Sequence, residues 1–317
     1  MNSNPETAAR WGFVLNPTAG NYFAEKYLEK LKAVIKTKNL DAEVRLTQYK
    51  GHGTKLAEEF YNEKFNRIVA VGGDGTINEV ASFLIDKPGV KMGIVSAGTG
   101  NDTIQLLGFP NRFEDKDWDI FLEGNTVKID TGICNGKAFL NGMGLGFDAH
   151  VAAQNYTEDG SVKRKGGDKY LYHILKTLLT YKEHTFKILN GREHSESEYF
   201  MSTIANGRRF AAKYFITPEA ISDDGLLDVC LVKKIGLLSR IRLFMQVPSG
   251  SHLSDKNVEY FKTDSLNIHF DQKVPFHLDG ELFFDKDLSV SLKPKSLEII
   301  YNPYGKHYLT QKTQKIL

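Results

Sequence analysis

The chain has 317 residues, of which 41% are hydrophobic and 25% are charged, and its formal net charge is +2. This balance is typical of a globular protein and excludes the strongly basic composition of most nucleic-acid-binding domains. The polar residues 1–6 lack the apolar core of a secretory signal, and no run of about 18 apolar residues predicts a membrane-spanning helix. We therefore expect a cytoplasmic protein of one large domain or two.

The first hundred residues alternate between strand and helix patterns. Short apolar runs predict strands at residues 11–15, 44–47, 68–71 and 91–95. Apolar residues at helical spacing follow the first three, and Thr54 and Thr76 are predicted to cap the second and third helices. This alternation predicts a parallel sheet flanked by helices, in which ligands bind beyond the carboxyl ends of the strands.

A glycine-rich turn, residues 72–76, follows the third predicted strand and reads Gly-Gly-Asp-Gly-Thr. Three glycines in four positions let the backbone come close to a ligand, and the helix that follows would offer free N–H groups to an anion. The Asp74 carboxylate would repel phosphate unless it faces Mg²⁺ or a hydroxyl, which indicates phosphoryl transfer. The alternative is an ordinary strand–helix turn without a ligand.

Two further loops of small polar residues follow predicted strands of the same sheet. Residues 16–20 read Asn-Pro-Thr-Ala-Gly, and residues 98–102 read Gly-Thr-Gly-Asn-Asp. Because the strands are expected to be parallel, the three loops are predicted to converge at one edge of the sheet.

After about residue 126, strand patterns predominate. Strands are predicted at residues 127–130, 137–141, 185–189, 199–205, 227–232, 266–270 and 289–292. Only two helices are predicted there, one at residues 170–182 and one that begins near Gly236. This pattern predicts a second domain that is mostly antiparallel, a β-sandwich. Cys134 and Cys230 lie far apart in apolar runs and are expected to be buried free thiols.

Two acidic turns in the second half are candidates for chemistry. Residues 222–228 contain Asp224, which could bind a hard cation together with backbone carbonyls or simply form a solvated Asp-Gly turn. Residues 277–282 contain a hairpin-forming Asp279-Gly280 followed by Glu281. Glu281 is either a surface strand residue or a group that takes a proton from an attacking hydroxyl.

Five motifs in this order resemble the diacylglycerol kinase catalytic-domain family. They are Asn16-Pro17-x-Ala19-Gly20, Gly72-Gly73-Asp74-Gly75-Thr76-x-Asn78-Glu79, Gly98-Thr99-x-Asn101-Asp102, Asp224-Gly225-x-Leu227-Asp228 and Asp279-Gly280-Glu281. The resemblance is to the soluble bacterial lipid kinases, which are related to sphingosine and ceramide kinases, and it covers nearly the whole chain. The Gly-Gly-Asp-Gly-Thr motif alone is shared with NAD kinases.

The resemblance implies an α/β plus all-β fold with ATP bound between two domains. The first, a Rossmann-like nucleotide domain, would comprise residues 1–130 with 299–317 returning to it, and a β-sandwich for the lipid would comprise residues 131–298. The nucleotide would be surrounded by Asn16, Pro17, Thr18, Ala19, Gly20, Thr47, Gly72, Gly73, Asp74, Gly75, Thr76, Ile77, Asn78, Glu79, Thr99, Asn101 and Asp102.

The same resemblance implies that Asp74 is indispensable near Mg²⁺ and phosphates and that Glu281 is the general base. Asp224, with the carbonyls of Ile221 and Leu226, matches a structural Mg²⁺ site. The expected activity is therefore ATP- and Mg²⁺-dependent phosphorylation of a lipid hydroxyl, of diacylglycerol or a similar lipid, in phospholipid metabolism.

Two rival functions stay open at this stage. An NAD-kinase-like enzyme would share the glycine-rich turn but would not need the match at residues 279–281, and a nucleotide- or lipid-binding regulator would need no turnover. Peripheral contact with a membrane is expected because the substrate is a lipid. No nucleic-acid partner is expected, and a homodimer is compatible with the sequence.

Overall fold

The computed structural model describes residues 8–98, 100–154, 176–191, 193–211 and 213–314. These residues form two compact units. The first unit comprises Met1–Ile129 together with Lys295–Leu317, and the second comprises Asp130–Pro294. The fold is thus mixed α/β followed by a β-rich part.

The first unit is built from alternating strands and helices. They are β1 (Arg10–Leu15), α1 (Ala19–Thr37), β2 (Asp41–Leu46), α2 (His52–Asn62), β3 (Arg67–Gly72), α3 (Asp74–Leu84), β4 (Lys91–Ser96), a 3₁₀ helix (Thr103–Leu107) and α4 (Asp115–Glu123). The four strands pair in parallel in the order β2-β1-β3-β4. The predicted parallel sheet is confirmed.

The core of this unit lies on both faces of the sheet. β3 is buried along its whole length, as its continuous apolar sequence predicts for a central parallel strand. α1 buries Ala24, Tyr27 and Leu31, and α3 buries Ile77 and Val80, at the spacing of one helical face. Because the parallel strands all end at the same edge, the sheet positions the loops that follow them there.

Two helices begin earlier in the chain than the predicted N-caps, Thr54 and Thr76, imply. α2 begins at His52 and α3 at Asp74, so Thr54 and Thr76 lie inside the first turn and do not cap it. The Thr54 hydroxyl donates to the carbonyl of Glu79 at 2.8 Å instead. The two capping predictions were wrong because distant partners occupy these hydroxyls.

The second unit is dominated by antiparallel strands. Its elements, with two that reach into the first unit at their ends, are β5 (Thr126–Cys134), β6 (Lys137–Phe139), β7 (Gly142–Gly146), α5 (Phe147–Ala153), β8 (His184–Asn190), β9 (Glu193–Ala205), β10 (Leu227–Lys233), α6 (Leu237–Gln246), β11 (Val258–Thr263), β12 (Ser265–Leu278) and β13 (Glu281–Ile300). The strand order β11-β10-β9-β7-β12-β13 is antiparallel throughout.

Two long strands organise this unit. β9 and β12 each pair with β8 along one half of their length and with β7 along the other half. β12 changes register between His269 and Val274, where the pairing passes from one partner to the other. A buried cluster that includes Phe186, Tyr199 and Phe270 is formed by side chains of these strands.

Several elements of the second unit differ from the sequence-based expectation. β7, β11 and α5 were not predicted, and β13 runs over 20 residues where only 289–292 were expected. The helix near Gly236 is confirmed as α6, with Gly236 as its N-cap. Of the helix predicted at 170–182, residues 176–180 are helical and 170–175 lie outside the described residues.

Two further expectations concern cysteines and membranes. Cys134 and Cys230 are free and buried, as predicted. Within the described ranges, no helix is both long enough and apolar enough to cross a bilayer.

Candidate active site

Side-chain hydrogen bonds join the loop after β1 to the start of α3. Asn16 Nδ2 donates to the hydroxyl of Thr76 at 3.0 Å, while Asn16 Oδ1 accepts from the backbone N–H and the hydroxyl of Thr18 at 3.1 and 2.9 Å. The backbone N–H of Asn16 also donates to the carbonyl of Val71 at 3.0 Å. The amide of Asn16 therefore fixes the loop of residues 16–20 against the glycine-rich turn.

The third loop touches the same turn through backbone atoms. The N–H groups of Ala97 and Gly98 both donate to the carbonyl of Gly72, at 2.8 and 3.2 Å. A Cβ added to Gly98 would lie 2.4 Å from the Cα of Gly73, which is closer than real contacts allow. Glycine at position 98 is thus required by the close approach of the two loops, and a Cβ on Gly73 would be tight, at 3.2 Å from the Cα of Gly98.

Asp74 is the first residue of α3 and is half buried at the meeting point of the loops. Its Oδ2 accepts from the N–H of Asn101 at 2.9 Å, and its Oδ1 accepts from the N–H and the hydroxyl of Thr103, both at 3.4 Å. Burial raises the pKa of the Asp74 carboxyl above its ordinary value of 3.8, although these backbone hydrogen bonds oppose the rise.

The first turn of α3 presents backbone amides at this place. Among the residues that the structure describes, no side chain caps α3 at Gly73. The N–H of Ile77 donates to the carbonyl of Gly73 at 3.0 Å. The N–H groups of the three residues before Ile77 have no acceptor within the helix, because the helix begins too late to supply the carbonyls four positions earlier. The N–H groups of Asp74, Gly75 and Thr76 thus lie at the positive end of the helix dipole, where anions bind.

The Glu79 carboxylate contacts the backbone at the start of α2. Its two carboxylate oxygens accept from the N–H groups of Gly51 and Gly53 at 2.7 and 2.9 Å. Glu79 therefore fixes the start of α2 relative to α3.

The structure places the other predicted nucleotide residues at the ends of the same elements. The Thr47 N–H, directly after β2, donates to the Leu15 carbonyl at 2.9 Å, and Asn78 accepts at Oδ1 from the Ser82 hydroxyl at 3.4 Å. Pro17 lies in the loop after β1, Ala19 and Gly20 are the first residues of α1, Asp102 precedes the 3₁₀ helix, and Thr99 lies outside the described residues.

Arg112 also belongs to this cluster, although the sequence did not indicate it. Its guanidinium donates to the carbonyls of Ser96 and Gly98 at 3.0 and 3.1 Å, and it lies over the ring of Phe23 at 4.0 Å. Arg112 therefore holds the backbone at the start of the third loop in place and adds a positive charge near it.

The second acidic turn lies between β12 and β13, and its two acidic residues have different environments. The Asp279 carboxylate accepts three backbone N–H groups, those of Leu140, Asn141 and Gly142, at 2.7, 3.0 and 2.8 Å. Glu281 is the first residue of β13 and is half buried. Asp279 thus anchors the hairpin, and Glu281, the predicted general base, follows it at the start of β13.

A buried contact between a histidine and an aspartate lies next to this turn and was not predicted. His277 Nε2 lies 3.4 Å from Asp148 Oδ2, and both side chains are largely buried. A Cβ on Gly144 would lie 2.0 Å from that carboxylate oxygen, so the glycine of β7 makes room for the pair. His277 pairs with Leu282 on β13, one residue beyond Glu281.

The predicted metal residues lie beside a cluster of carboxylates. Asp224 Oδ2 lies 2.8 Å from the ammonium of Lys262, and the same ammonium is 3.2 Å from Asp228 Oδ2. The Tyr260 hydroxyl donates to Asp228 at 2.5 Å, and Asp130 accepts the Gly225 N–H at 2.7 Å. Burial raises the pKa of the Asp228 carboxyl, and Lys262 and Tyr260 oppose the rise.

The atoms around Asp224 can be compared with the ligands that a magnesium ion prefers. The Asp224 carboxylate and the carbonyls of Ile221 and Leu226 are oxygen donors, which Mg²⁺ prefers. However, Lys262 already supplies a positive charge to Asp224 and Asp228. Within the described part of the chain, no group of three or more His, Cys, Asp and Glu side chains could hold a metal. The residues thus fit a bound metal less well than the motif implies.

Two family models match most of the chain. The model of the diacylglycerol kinase catalytic domain matches residues 10–134. A model described as a YegS C-terminal NAD kinase beta sandwich-like domain matches residues 141–301, about half of the chain.

Individual known proteins are similar to this chain over most of their own length. A diacylglycerol kinase of Bacillus subtilis is 28% identical over 278 residues, which cover 84% of this chain and 88% of that protein. A protein of Shewanella frigidimarina named "Probable lipid kinase YegS-like" is 26% identical over 277 residues, which cover 86% and 88%. A solved structure from Bacillus anthracis, named provisionally as a diacylglycerol kinase, is 25% identical with a TM-score of 0.76 and covers 96% and 99% of the two chains. The chain therefore belongs to the diacylglycerol kinase catalytic-domain family and is a lipid kinase of the bacterial, YegS-like type.

Proposed function

We propose that the protein transfers the γ-phosphate of ATP, in a Mg²⁺-dependent reaction, to a hydroxyl of diacylglycerol or a similar lipid. The observation that carries this proposal is the convergence of three loops on Asp74, with an uncapped helix start beside it. In a lipid kinase, such a place suits a nucleotide phosphate chain. The finer fold assignments, a Rossmann-like nucleotide domain and a sandwich-like lipid domain, belong to the same proposal.

In this proposal the loops hold the nucleotide. The N–H groups of residues 74–76 donate to phosphate oxygens, and Asn16 keeps its loop in place through Thr76. The contacts between Gly73 and Gly98 keep the loop backbones close enough to surround a narrow chain of phosphates. Catalysis by these groups is positional and electrostatic, as in other phosphoryl transfers.

Asp74 is proposed to act at the phosphates together with the magnesium ion that accompanies ATP. Magnesium, when bound, would supply charge neutralisation to the phosphates. The backbone N–H groups of Asn101 and Thr103 orient the Asp74 carboxylate. The structural magnesium site at Ile221, Asp224 and Leu226 stays a prediction, and no step of the mechanism depends on it.

Glu281 is proposed as the general base that accepts the proton of the lipid hydroxyl. Its place after the turn that Asp279 anchors gives it a defined backbone position. A positioned base typically contributes a factor of about 10² to 10⁴ in rate. We also propose that the enzyme acts at the cytoplasmic face of a membrane.

The direct test is transfer of labelled γ-phosphate from ATP with Mg²⁺ to diacylglycerol, sphingoid bases and phosphatidylglycerol in mixed micelles. We expect label in one lipid, and a fall of about 10² to 10⁴-fold in kcat for Glu281→Gln. The matched control is Glu298→Gln, which changes a carboxylate at the far end of the same strand. Absence of label in every lipid would refute the lipid-kinase proposal.

NAD belongs in the same assay as a soluble acceptor. The second family model is described by its likeness to an NAD kinase sandwich, which makes NAD phosphorylation the enzymatic rival. Label in NAD with none in lipids would favour that rival. A regulator without turnover would instead be indicated if ATP binds, no acceptor is labelled and Asp74→Asn leaves the measured function intact.

A further inference from the structure

Helix α6 exposes an unusual amount of apolar surface. Leu237, Leu238, Ile241 and Met245 are 43%, 83%, 40% and 74% exposed. At about 100° per residue these four side chains fall within one arc of about 100°, so they form a continuous stripe along the helix.

The stripe is not the face that anchors the helix to the protein. Arg240 and Leu243, which are buried, point away from it, and Leu243 belongs to the core cluster beneath α6. Helix α6 is therefore apolar on its core side and apolar on its outer side. A surface helix normally carries polar residues on the outer side.

A buried arginine holds the helix rigidly to a neighbouring segment. The Arg240 guanidinium donates to the carbonyls of Leu178 and Tyr181 at 2.9 and 3.2 Å and lies 2.5 Å from a carboxylate oxygen of Glu183. Leu179, on this segment, is 61% exposed. The exposed apolar stripe of α6 thus stands on a helix that Arg240 ties to the core, and a continuous stripe of this kind marks an interaction surface.

The charges around the stripe are mainly positive. Residues 233–246 contain four basic side chains and no acidic one, and residues 176 and 182 are exposed lysines. The acidic partners are Glu198 and Glu259 at the surface and Glu183 and Asp255, whose side chains are only 5% exposed. Each of these four acidic groups pairs with one of the four basic groups of residues 233–246, so the excess positive charge of this part of the protein is carried by the exposed Lys176 and Lys182.

We propose that the exposed face of α6 docks onto an anionic lipid bilayer, with the helix lying in the plane of the interface. An amphipathic helix of this kind buries its apolar stripe at the acyl boundary and places its basic groups at the headgroups. The choice of a bilayer as occupant rests on the positive rim and on the proposed function, because the substrate of a lipid kinase lies in a membrane.

The test is sedimentation of the full chain with vesicles made of equal parts phosphatidylglycerol and phosphatidylcholine. The variant is L238Q/I241Q/M245Q, since glutamine forms helix well and removes only the apolar stripe. We expect vesicle affinity to fall about tenfold for each fully buried side chain that is lost, and the melting temperature to stay within a few degrees of that of the unchanged protein.

A matched control uses an exposed apolar residue elsewhere in the same unit. Phe284 on β13 is 57% exposed, and Phe284→Gln is expected to leave vesicle affinity unchanged. Vesicles of phosphatidylcholine alone are expected to bind the unchanged protein several-fold more weakly. K182Q/R242Q is expected to lower affinity for the anionic vesicles and to leave binding to the neutral ones unchanged.

Three results would overturn the proposal. They are equal vesicle binding by the triple variant and the unchanged protein, equal loss in Phe284→Gln, and a dimer in analytical ultracentrifugation that the triple variant dissociates. The last result would make a second copy of the chain the occupant of this face.

A kinase assay separates this inference from the proposed function. The triple variant is expected to phosphorylate a monomeric short-chain diacylglycerol normally and a long-chain one in vesicles more slowly. If no lipid is phosphorylated while vesicle binding still depends on the α6 stripe, the proposed function fails and the docking surface stands.

Discussion

Two turns of this protein share the dipeptide Asp-Gly and yet use the aspartate in opposite ways. Asp74 opens helix α3, is half buried and has a raised carboxyl pKa. Asp279 opens a hairpin and accepts three consecutive backbone N–H groups from residues 140–142. The comparison shows that the surroundings, and not the dipeptide, determine how firmly each aspartate is held, because two of the three hydrogen bonds to Asp74 are 3.4 Å long whereas the three to Asp279 are 3.0 Å or shorter.

A third Asp-Gly pair lies between these extremes. Asp224 accepts the N–H of Leu226 at 3.1 Å and pairs with Lys262, so part of its charge is balanced inside the protein. If the comparison is right, substitutions of the three aspartates and their partners should affect catalysis and stability in different proportions.

The largest expected effect is on catalysis by Asp74→Asn. We expect kcat to fall about 10³-fold or more, because a charged group positioned at the phosphates is lost. The melting temperature at neutral pH is expected to change little, since the neutral side chain avoids the desolvation that raises the carboxyl pKa but loses an acceptor for the long 3.4 Å bonds from Thr103. Asp119→Asn, an exposed change on α4, is the control and should leave kcat unchanged. A folded but fully active Asp74→Asn protein would contradict the assignment.

The next effect is on stability through Asp279→Asn. The asparagine would turn an NH₂ group toward backbone donors, and we expect the free energy of unfolding to fall by about 2–3 kcal/mol. Urea unfolding monitored by far-UV circular dichroism, which reports the β-strands of the second unit, measures this change, because Trp11 and Trp118 both lie in the first unit. Glu281→Gln, two residues away, should cost less than about 1 kcal/mol. Similar costs for both substitutions would mean that Asp279 is not the anchor of the hairpin.

A smaller effect is expected from Lys262→Met. Without the ammonium, Asp224 and the buried Asp228 lose a shared positive partner, and the free energy of unfolding should fall by about 1–2 kcal/mol at neutral pH. Melting curves with MgCl₂ and with a chelator measure whether a metal can replace the ammonium. We expect magnesium to stabilise Lys262→Met more than the unchanged protein. Destabilisation of the unchanged protein by the chelator would show that it already holds a metal.

The smallest expected effect is on the pH dependence of stability. Because the pKa of the Asp74 carboxyl is raised in the folded protein, the unfolded chain gives up this proton at a lower pH than the folded one. This group therefore lowers stability as pH rises above about 4, and the loss is complete once pH exceeds the folded pKa. The melting temperature of Asp74→Asn minus that of the unchanged protein should grow across this interval and vanish below it. A difference that is constant with pH would exclude the mechanism.

The parallel half of the fold was predictable because each strand is a short apolar run followed by glycine or a small polar residue. β3 and its turn are the best example, since local sequence alone determines a buried strand and a close backbone approach. The starts of α2 and α3 were misplaced because Thr54 and Thr76 bond to residues far away in sequence. Local capping rules carry no information about such partners.

The antiparallel half was less predictable, for two physical reasons. β7 contains three glycines in five residues, and its burial depends on neighbours such as Asp148 and His277 that lie close to its backbone. β13 carries charged residues along much of its 20-residue length, so only its apolar centre has a strand pattern. In both strands, pairing with distant partners outweighs local preference.

The sequence indicated the glycines and acidic residues of the candidate site, but it did not indicate the residues that hold them in place. Asp74 and Glu281 stand in motifs, whereas Arg112 and Lys262 stand in segments with no distinctive spacing. Their importance comes only from carbonyl and carboxylate groups that the fold brings to them.

The return of the last residues to the first unit has a consequence for synthesis on the ribosome. The carbonyl of Leu107 accepts the N–H of Asn302, and the carbonyl of Asn125 accepts that of Tyr301. The parallel sheet is therefore completed only after about 170 further residues have been translated, which takes roughly ten to thirty seconds. During that interval the strands β1 to β4, which pair with one another, form a unit that still lacks its contact with β13, so the first unit should reach its full stability only after the second unit has been translated.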